Sequence, residues 1–513
     1  MDTWSLILDG WNTAITPSNL LFCLIGVVVG TIIGLLPGLG SATGVALLLP
    51  LTLTMEPVTA LIMLAGIYYG SQYGATISAV LIGTPGDSAS LVTMFDGYPM
   101  AKKGRAGAAL SSAAIASFIG GTVSLVLLMI AMPILSSFAL KFGPPETVAL
   151  AILAMLSVAG FAGSSLAKAI AMGLLGVIIA TIGIDGQSAI PRYTFGQVEL
   201  FGGLGLIPVL IGLVALAEVL RQLNQGENKP LRAGWRDMMI NKEELRRTWK
   251  PAGRGSLIGF FIGILPGAGA TLASFISYEA ERRSMKNGKK LFGTGMIEGV
   301  AGPESANNAA ANGAFVPMLT LGVPGSATTA ILLGAFMVFG VQPGPLLLTQ
   351  EPTLVWGLIL SFWIGNVILL ILNLPLAPLF AAILRFRYIF IYPAILLLCL
   401  AGAFSIQNRM WSVWIALAFA VVGFYMQRFT YPVAPLILGL VLGPMLEKGL
   451  DRSLAIAHGD PSIFLTRPIS LTILLFAFAL LVGPTVLRFI RRKAKSPGMV
   501  DAALKSSILE DSE

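Results

Sequence analysis

Long apolar segments follow one another along most of this 513-residue chain, from about residue 20 to about residue 489. A helix needs roughly 20 apolar residues to cross a bilayer, so these segments predict about 11 to 12 crossings. The hydrocarbon core offers no water to backbone N–H and C=O groups, and each crossing must therefore be helical. The pattern predicts an all-α polytopic membrane protein.

Two of the apolar segments are interrupted by the same motif of proline and small residues. Residues 26–40 read GVVVGTIIGLLPGLG and residues 255–269 read GSLIGFFIGILPGAG, with eight of fifteen positions identical. A second matched pair follows, because YGATISAVLIGTPGDSAS from Tyr73 and NGAFVPMLTLGVPGSATT from Asn312 share Gly-Ala and Gly-x-Pro-Gly. Such self-similarity indicates an internal repeat. We expect helices broken at these motifs and re-entrant hairpins between them.

Lysine and arginine give the two copies opposite orientations. Cytoplasmic loops of membrane proteins collect basic residues. Residues 224–254, before the second copy, contain eight Lys and Arg, whereas none precedes the first copy. The bias reverses after the motifs, where Lys102, Lys103 and Arg105 follow the first copy. The sequence therefore predicts two inverted-topology repeats whose broken helices lie at the membrane midplane.

These patterns divide the chain into four regions. We assign residues 1–222 to the first inverted repeat, with a half-site at 30–100, and residues 255–450 to the second, with a half-site at 259–345. Residues 223–254 form a basic cytoplasmic linker that is typical of an interfacial helix. Residues 451–513 form the last transmembrane helix and a basic cytoplasmic tail. No basic residue precedes the first apolar segment, so we do not expect a signal peptide.

The helix breaks carry the candidate chemistry. Proline and glycine free backbone groups, and helix ends then present partial positive charge to an anion or partial negative charge to a cation. The predicted substrate-binding residues are Gly38, Gly40, Ser41, Thr43, Thr84, Ser88, Gly267, Gly269, Asn308, Asn312, Ser326 and Thr328. The predicted ligands of a coupling Na⁺ are Thr84, Asp87, Ser90, Asn312 and Thr329. Within these motifs, residues 302–312 are the expected main substrate contact.

Asp87 is the one acid beside a break. A charge at that depth costs at least roughly 2.5 to 3.5 kcal/mol without a partner, which favours a bound cation. The alternative interpretation is an ordinary exposed Pro-Gly loop with Asp87 as a solvated turn residue. Four breaks in two matched pairs favour the broken-helix interpretation. The glycines at every fourth position before each Leu-Pro-Gly are assigned to close helix packing.

Composition excludes several other classes of protein. Hydrophobic residues make up 56% of the chain and charged residues 11%, too few for a soluble protein of this length. Two cysteines and one histidine provide no disulfide framework or metal cluster, so we expect no enzyme and no cofactor beyond a coupling ion. The net charge of +8 falls in short loops facing lipid headgroups and does not indicate nucleic acid. An anion channel or facilitator without cation coupling stays open as the alternative.

The paired motifs resemble the large membrane subunit of the tripartite tricarboxylate transporters. The resemblance rests on GLLPGLGSATGVALLLP, on YGSQYGATISAVLIGTPGDSASLVTMFDGYPMAKKGRAGAAL and on GVAGPESANNAAANGAFVPMLTLGVPGSATTAILLGA. It implies a secondary active symporter that imports tricarboxylates or related carboxylates with Na⁺ or H⁺. By analogy with other inverted-repeat anion transporters, we expect an elevator-type motion.

The resemblance also implies a cellular setting and partners. The protein is expected in the bacterial inner membrane, with a periplasmic N-terminus and a cytoplasmic C-terminus. A small integral-membrane subunit and a periplasmic substrate-binding protein are the implied partners. Whether the chain forms a homodimer stays open, as do the carried carboxylate and the coupling ion.

Overall fold

The computed structural model describes residues 3–161, 165–186, 188–222, 231, 235–238, 240–267, 269–384 and 388–482. The helices are α1 (Thr3–Ala14), α2 (Pro17–Leu35), α3 (Ser41–Leu48), α4 (Pro57–Leu81), α5 (Leu91–Lys102), α6 (Ala106–Ala139), α7 (Pro144–Phe161), α8 (Leu166–Ala180), α9 (Leu206–Leu210), α10 (Ala217–Gln222), α11 (Lys242–Ile264), α12 (Gly269–Ser284), α13 (Gly288–Leu291), α14 (Glu298–Leu321), α15 (Ala327–Val338), α16 (Leu347–Gln350), α17 (Pro352–Asn373), α18 (Ala377–Ile383), α19 (Tyr388–Ser405), α20 (Met410–Arg428), α21 (Val433–Ile456), α22 (Ile463–Thr466) and α23 (Pro468–Val482). Strands β1 (Gly183–Ile184) and β2 (Pro191–Arg192) form an antiparallel hairpin.

The helical architecture confirms the expected class of all-α polytopic membrane protein. Among the described residues, five helices are long and apolar enough to cross a membrane, namely α2, α6, α17, α20 and α21. Six shorter apolar helices of 10–17 residues accompany them. The predicted number of crossings stays a prediction, because these assignments rest on length and composition.

Glycines bring the helices of each motif pair into backbone contact. A Cβ atom at Gly30 of α2 would lie 2.4 Å from the carbonyl oxygen of Ile67 in α4. A Cβ atom at Gly259 of α11 would lie 2.3 Å from the carbonyl oxygen of Ala306 in α14. The neighbouring glycines of each ladder, Gly26, Gly34, Gly255 and Gly263, also face a backbone carbonyl of the partner helix. The assignment of both ladders to close packing is therefore confirmed.

Helix α14 lies at the centre of the described fold. Each of its residues from Glu298 to Thr320 is buried, and it packs against α4, α5, α6, α11 and α12. The small residues of its ANNAAANGA stretch leave room for this many neighbours. The predicted substrate-contact stretch, residues 302–312, thus forms helix–helix interfaces, and its small side chains serve packing.

One helix spans the end of the basic linker and the start of the second motif. Helix α11 begins at Lys242 and runs without a break to Ile264, across the boundary placed at residue 254. Asn241 starts it with a capping box to Glu244, and Arg254 in its middle pairs with the buried Glu281 of α12. The charged stretch and the apolar stretch are therefore one helix. Residues 223–230, 232–234 and 239 of the linker lie outside the described residues.

Helix α1 is an element that the apolar pattern did not predict. It packs on α17, where a Cβ atom at Gly10 would lie 2.4 Å from the Cβ atom of Trp356. Trp4, Leu8 and Trp11 stay exposed on it. Tryptophan is enriched where a membrane surface meets water, so this exposed face is typical of an interfacial helix.

We expect Gly259→Ala to destabilise the protein and Gly253→Ala, in the same helix, to leave stability unchanged or slightly raised. A methyl group at residue 259 would overlap the α14 backbone, whereas a Cβ atom at residue 253 has no neighbour within 4 Å. Overpacking costs roughly 1 to 3 kcal/mol, and an exposed helical Gly-to-Ala change gains up to about 1 kcal/mol. Thermal unfolding of the two purified variants in detergent measures the difference. Equal melting temperatures would contradict the backbone contact.

Candidate functional site

A cavity of about 680 Å³ lies where the breaks of both motif pairs meet. One side of it is formed by the motif loops and the helices that start from them. The other side is formed by Val158 of α7, Leu213 and Val214, Gln427 of α20 and the start of α21. Predicted substrate-binding residues that line it are Gly38, Gly40, Ser41, Thr43, Ser88, Gly267, Gly269, Ser326 and Thr328. The two half-sites, far apart in sequence, thus share one cavity.

Three helices begin at the cavity wall. Helix α3 starts at Ser41, α12 at Gly269 and α15 at Ala327, and each of these residues lines the cavity. The first amides of a helix have no intrahelical acceptor and carry partial positive charge. The wall therefore presents the positive ends of three helices, and Asp87 and Ser326 accept hydrogen bonds from amides at two of them.

Asp87 ties the two breaks of the first pair together. Its Oδ2 atom accepts hydrogen bonds from the Ser41 amide at 3.1 Å and the Ser41 hydroxyl at 2.8 Å. Its Oδ1 atom accepts from the Ser88 hydroxyl at 3.2 Å and the Ala89 amide at 3.3 Å. Among the described residues, no salt bridge reaches this carboxylate. Amide and hydroxyl donors supply its hydrogen bonds.

The second pair has a neutral counterpart at the matching position. Ser326 caps α15, because its hydroxyl accepts from the Thr329 amide at 3.2 Å while the Thr329 hydroxyl accepts from the Ser326 amide at 2.8 Å. In both pairs the glycine after the proline donates to the other loop, from Gly38 to the carbonyl of Pro85 and from Gly267 to that of Gly325. The two loop pairs thus share their backbone pairing and differ in charge.

Two hydroxyl bridges join the first motif pair to the second. The Ser41 and Thr328 hydroxyl oxygens lie 2.9 Å apart, and those of Ser88 and Thr271 lie 2.8 Å apart. These residues are separated by 287 and 183 positions in the sequence. The breaks therefore meet directly, as the matched motifs predicted.

A buried acid and an arginine that the motifs did not reveal also line the cavity. The Glu218 carboxylate is buried and accepts two hydrogen bonds from the Nε atom of Arg221 and one from Gln222 at 2.7 Å. A π-helical turn, Ile211–Leu216, precedes them, and such turns recur at functional sites. Gly38 faces this group at a φ of +79°, and a Cβ atom there would lie 2.3 Å from Glu218 Oε1.

Sequence reasoning missed the Glu218–Arg221 pair because Arg221 lies next to a basic linker. Basic residues there were interpreted as setting only the orientation of the chain in the membrane. The available signal was an acid three positions before an arginine at the end of an apolar span. Tyr68 and Gln72 of α4 also line the cavity and were not singled out.

Five predicted residues do not line the cavity. Asn312 donates to the Gly121 carbonyl and the Ser124 hydroxyl of α6, and Asn308 donates to the Glu304 carbonyl in its own helix.

The other three residues lie in or beside the loops. The Ser90 hydroxyl donates to the Asp87 carbonyl, and Thr329 forms the cap of α15 with Ser326. The Thr84 hydroxyl is buried without a hydrogen-bond partner in the described part of the chain. The physical reason is that buried amides and hydroxyls here satisfy the backbone and neighbouring helices. Of the predicted Na⁺ ligands, Asp87 alone lies at the cavity.

A second cavity, of about 750 Å³, lies among α6, α7, α15 and α21. It is mainly apolar, with Lys448 and Arg452 in its wall. None of the predicted site residues lines it.

The Ser41→Cys and Thr328→Cys double variant should form a disulfide when it is oxidised, because the two hydroxyl oxygens are 2.9 Å apart. Mass spectrometry of the digested protein would detect the linked peptides, in a background where Cys23 and Cys399 are replaced. Each single-cysteine variant is the matched control. Failure of the double variant to cross-link, with its cysteines accessible to a thiol reagent, would contradict the meeting of the two motif pairs.

Known proteins resemble the chain over most of its length. One relative is an uncharacterized 52.8 kDa protein in the TAR-I ttuC' 3' region of Agrobacterium vitis. It is 45% identical over 485 residues, which cover 94% of this chain and 96% of the relative. A second Agrobacterium vitis protein, from the TAR-II ttuC' 3' region, is 46% identical over 216 residues, covering 42% of this chain and 89% of that protein. No solved structure matches. The model of the tripartite tricarboxylate transporter TctA family matches residues 20–438, and the chain belongs to this family.

Proposed function

We propose that this protein is the permease subunit of a tripartite system and imports a tricarboxylate or related carboxylate by cation-coupled symport. The observation that carries the proposal is the cavity in which both pairs of helix breaks meet. Its volume of about 680 Å³ suits a small organic anion. The coupling ion, Na⁺ or H⁺, is part of the proposal.

The carboxylate groups of the substrate would be bound mainly by helix ends and by one arginine. Donors at the wall are the first amides of α3, α12 and α15 and the hydroxyls of Thr43, Thr271 and Thr328. The substrate would replace the present partners of the Ser41 amide and of the Thr271 and Thr328 hydroxyls. Arg221 adds a planar guanidinium whose fork matches a carboxylate, and Glu218 holds it in place. The Glu218 carboxylate also lowers the net charge of the cavity. Because Glu218 accepts from Arg221, the substrate would compete with it for the guanidinium.

An elevator-type movement is favoured by where the cavity lies. The hydroxyl bridges Ser41–Thr328 and Ser88–Thr271 join the two motif pairs to each other. The cavity lies between this joined unit and α7, α20 and α21, and the two sides also touch, where Gly267 packs on Val158 and α15 packs on α21. We infer that both motif pairs move as one body against these helices, with the two halves as inverted repeats. Rocking of one half against the other would have to break both bridges.

The proposed setting is the bacterial inner membrane, with the N-terminus in the periplasm and the C-terminus in the cytoplasm. Membership of a tripartite family supports two partners, a small membrane subunit and a periplasmic protein that delivers the substrate. Of the five predicted Na⁺ ligands, Ser90 bonds to Asp87, whereas Asn312 bonds to α6 and Thr329 caps α15, and the position of a coupling Na⁺ stays a prediction.

Proteoliposomes that contain the permease and its two partners test symport against a channel. We expect radiolabelled citrate to accumulate above its external concentration when an inward Na⁺ or H⁺ gradient is imposed, because a symporter couples the two movements. Dissipating the gradients with ionophores is the control. Equilibration of citrate without accumulation, at a rate independent of both gradients, would instead support the channel alternative.

Arg221→Gln should raise the KM for the transported carboxylate about tenfold to one-hundredfold, since a hydrogen bond to a charged group contributes roughly 1.5 to 3 kcal/mol. Arg452→Gln, which changes a basic residue in the wall of the other cavity, is the matched control and should leave KM unchanged. Initial rates of uptake against substrate concentration measure both. An unchanged KM in Arg221→Gln, or equal effects of the two changes, would contradict the proposed binding site.

A further inference from the structure

A second carboxyl group lies in the core, away from the substrate cavity. Glu304 of α14 is 1% exposed and does not line that cavity. Its carboxyl oxygens accept hydrogen bonds from the hydroxyls of Thr76 at 2.8 Å, Thr93 at 2.5 Å and Ser117 at 3.3 Å. Four helices, α4, α5, α6 and α14, thus converge on one acid.

Among the described residues, no salt bridge reaches Glu304. Helices α4, α6, α15 and α16, which pack against α14, contain no Asp, Glu, Lys, Arg or His, and Tyr73 of α4 is the titratable side chain beside Glu304. Lys242, Glu243, Arg246 and Lys250 of α11 are exposed. The other basic and acidic groups of α5, α11 and α12 have contacts of their own: Lys102 with the Tyr98 ring, Arg247 with Glu298, Arg254 with Glu281, Arg282 and Arg283 with Glu279, Glu244 with Arg105, and Asp96 with Tyr278.

Asp96 is another buried acid of this core, and its partners differ from those of Glu304. It is fully buried, and its oxygens accept from the Tyr278 hydroxyl and from the amides of Gly293, Gly295 and Met296. An amide only donates, so this shell suits a carboxylate. Glu304 has hydroxyl partners instead, and a hydroxyl both donates and accepts. The shell of Glu304 can therefore satisfy the ionised and the protonated acid, whereas the Oδ1 atom of Asp96 has amide donors as its partners.

Unpaired polar atoms lie on α4, α14 and α17, and one of them belongs to Gln72 at the substrate cavity. Tyr68 and Gln72 of α4 line that cavity, and Thr76, one turn beyond Gln72, donates to Glu304. Buried atoms without a hydrogen-bond partner in the described part of the chain include Gln72 Oε1, both side-chain amide atoms of Asn307 and Asn373 Oδ1. A void of about 10 Å³ lined by Glu304, Thr76, Tyr73 and Asn373 has the size of one water molecule. Buried polar atoms of this kind are where ordered water is found.

We propose that Glu304 carries the coupling proton of the transport cycle: its carboxylate takes up one proton from water on the substrate side, and the neutral acid releases it to water on the cytoplasmic side. The inference rests on the proposed symport. It names the residue and the ion, with Thr76, Thr93 and Ser117 as positioning residues that satisfy both states of the acid.

The test compares wild-type protein and Glu304→Gln in proteoliposomes with both partners, with radiolabelled citrate as the probe. The amide keeps the size of the side chain but cannot exchange a proton. We expect pH-gradient-driven accumulation to fall more than about tenfold, while exchange of internal for external citrate continues, because exchange needs no net proton movement. Full accumulation by Glu304→Gln would overturn the inference, and so would loss of exchange in a folded variant. Accumulation by the wild-type protein that follows Na⁺ alone would also overturn it. Failure of wild-type uptake under either gradient would instead refute the proposed symport.

Thr76→Val keeps the test decisive if Glu304→Gln does not fold. Loss of one donor disfavours the carboxylate, so the pH at which citrate exchange is half-maximal should move to more alkaline values by about half a unit to one unit. Ser124→Ala removes another buried hydroxyl that bonds to α14, through Asn312, and is the matched control. A pH profile that moves in neither variant, or equally in both, would contradict the assignment.

Discussion

The absence of water from the hydrocarbon core is the constraint on which this structure depends. A proline or glycine in a membrane helix frees amides and carbonyls that lipid cannot satisfy, so a broken helix persists only beside other protein groups or a ligand. Here the two loops of each pair satisfy each other, through Gly38 with Pro85 and Gly267 with Gly325. The glycine ladders make this possible because they bring the helix backbones into contact. The N-terminal ends of α3, α12 and α15 face the cavity.

The sequence predicted the helical class, the close packing of the glycine ladders and the meeting of the breaks, and the reasons are physical. Apolar length and glycine at every fourth position are local signals. The Leu-Pro-Gly sequence at residues 36–38 recurs at residues 265–267, and this repeat is a long-range signal. Similar sequences give both copies similar local structure and similar packing. The Ser41–Thr328 contact is the direct result. The inverted orientation of the halves stays a prediction, because it depends on the membrane.

What the sequence did not predict depends on which face of a helix a polar residue occupies. Asn308 and Asn312 lie in a stretch of small and amide residues that is typical of a ligand-binding site. Their amides nevertheless bond to the backbone of α14 and to α6. Arg221 and Glu218 lie outside every motif and reach the cavity through the π-helical turn. The continuity of α11 across residue 254 has a related reason. Arg254 looked like the end of a linker, but the buried Glu281 allows it to lie within a continuous helix.

Buried charge is distributed over distinct environments in this core. Glu218 is paired with an arginine, Asp96 is held by amides, Asp87 links two loops at the cavity, and Glu304 has hydroxyl partners. The central claim is that the helix ends at the meeting breaks bind the carboxylate. A high-resolution structure of the protein in lipid nanodiscs with saturating citrate tests it most directly. The account predicts ligand density within hydrogen-bond distance of the first amides of α3, α12 and α15, next to Arg221. Density beside Arg452 in the other cavity, with the cavity between the breaks containing only water, would contradict it.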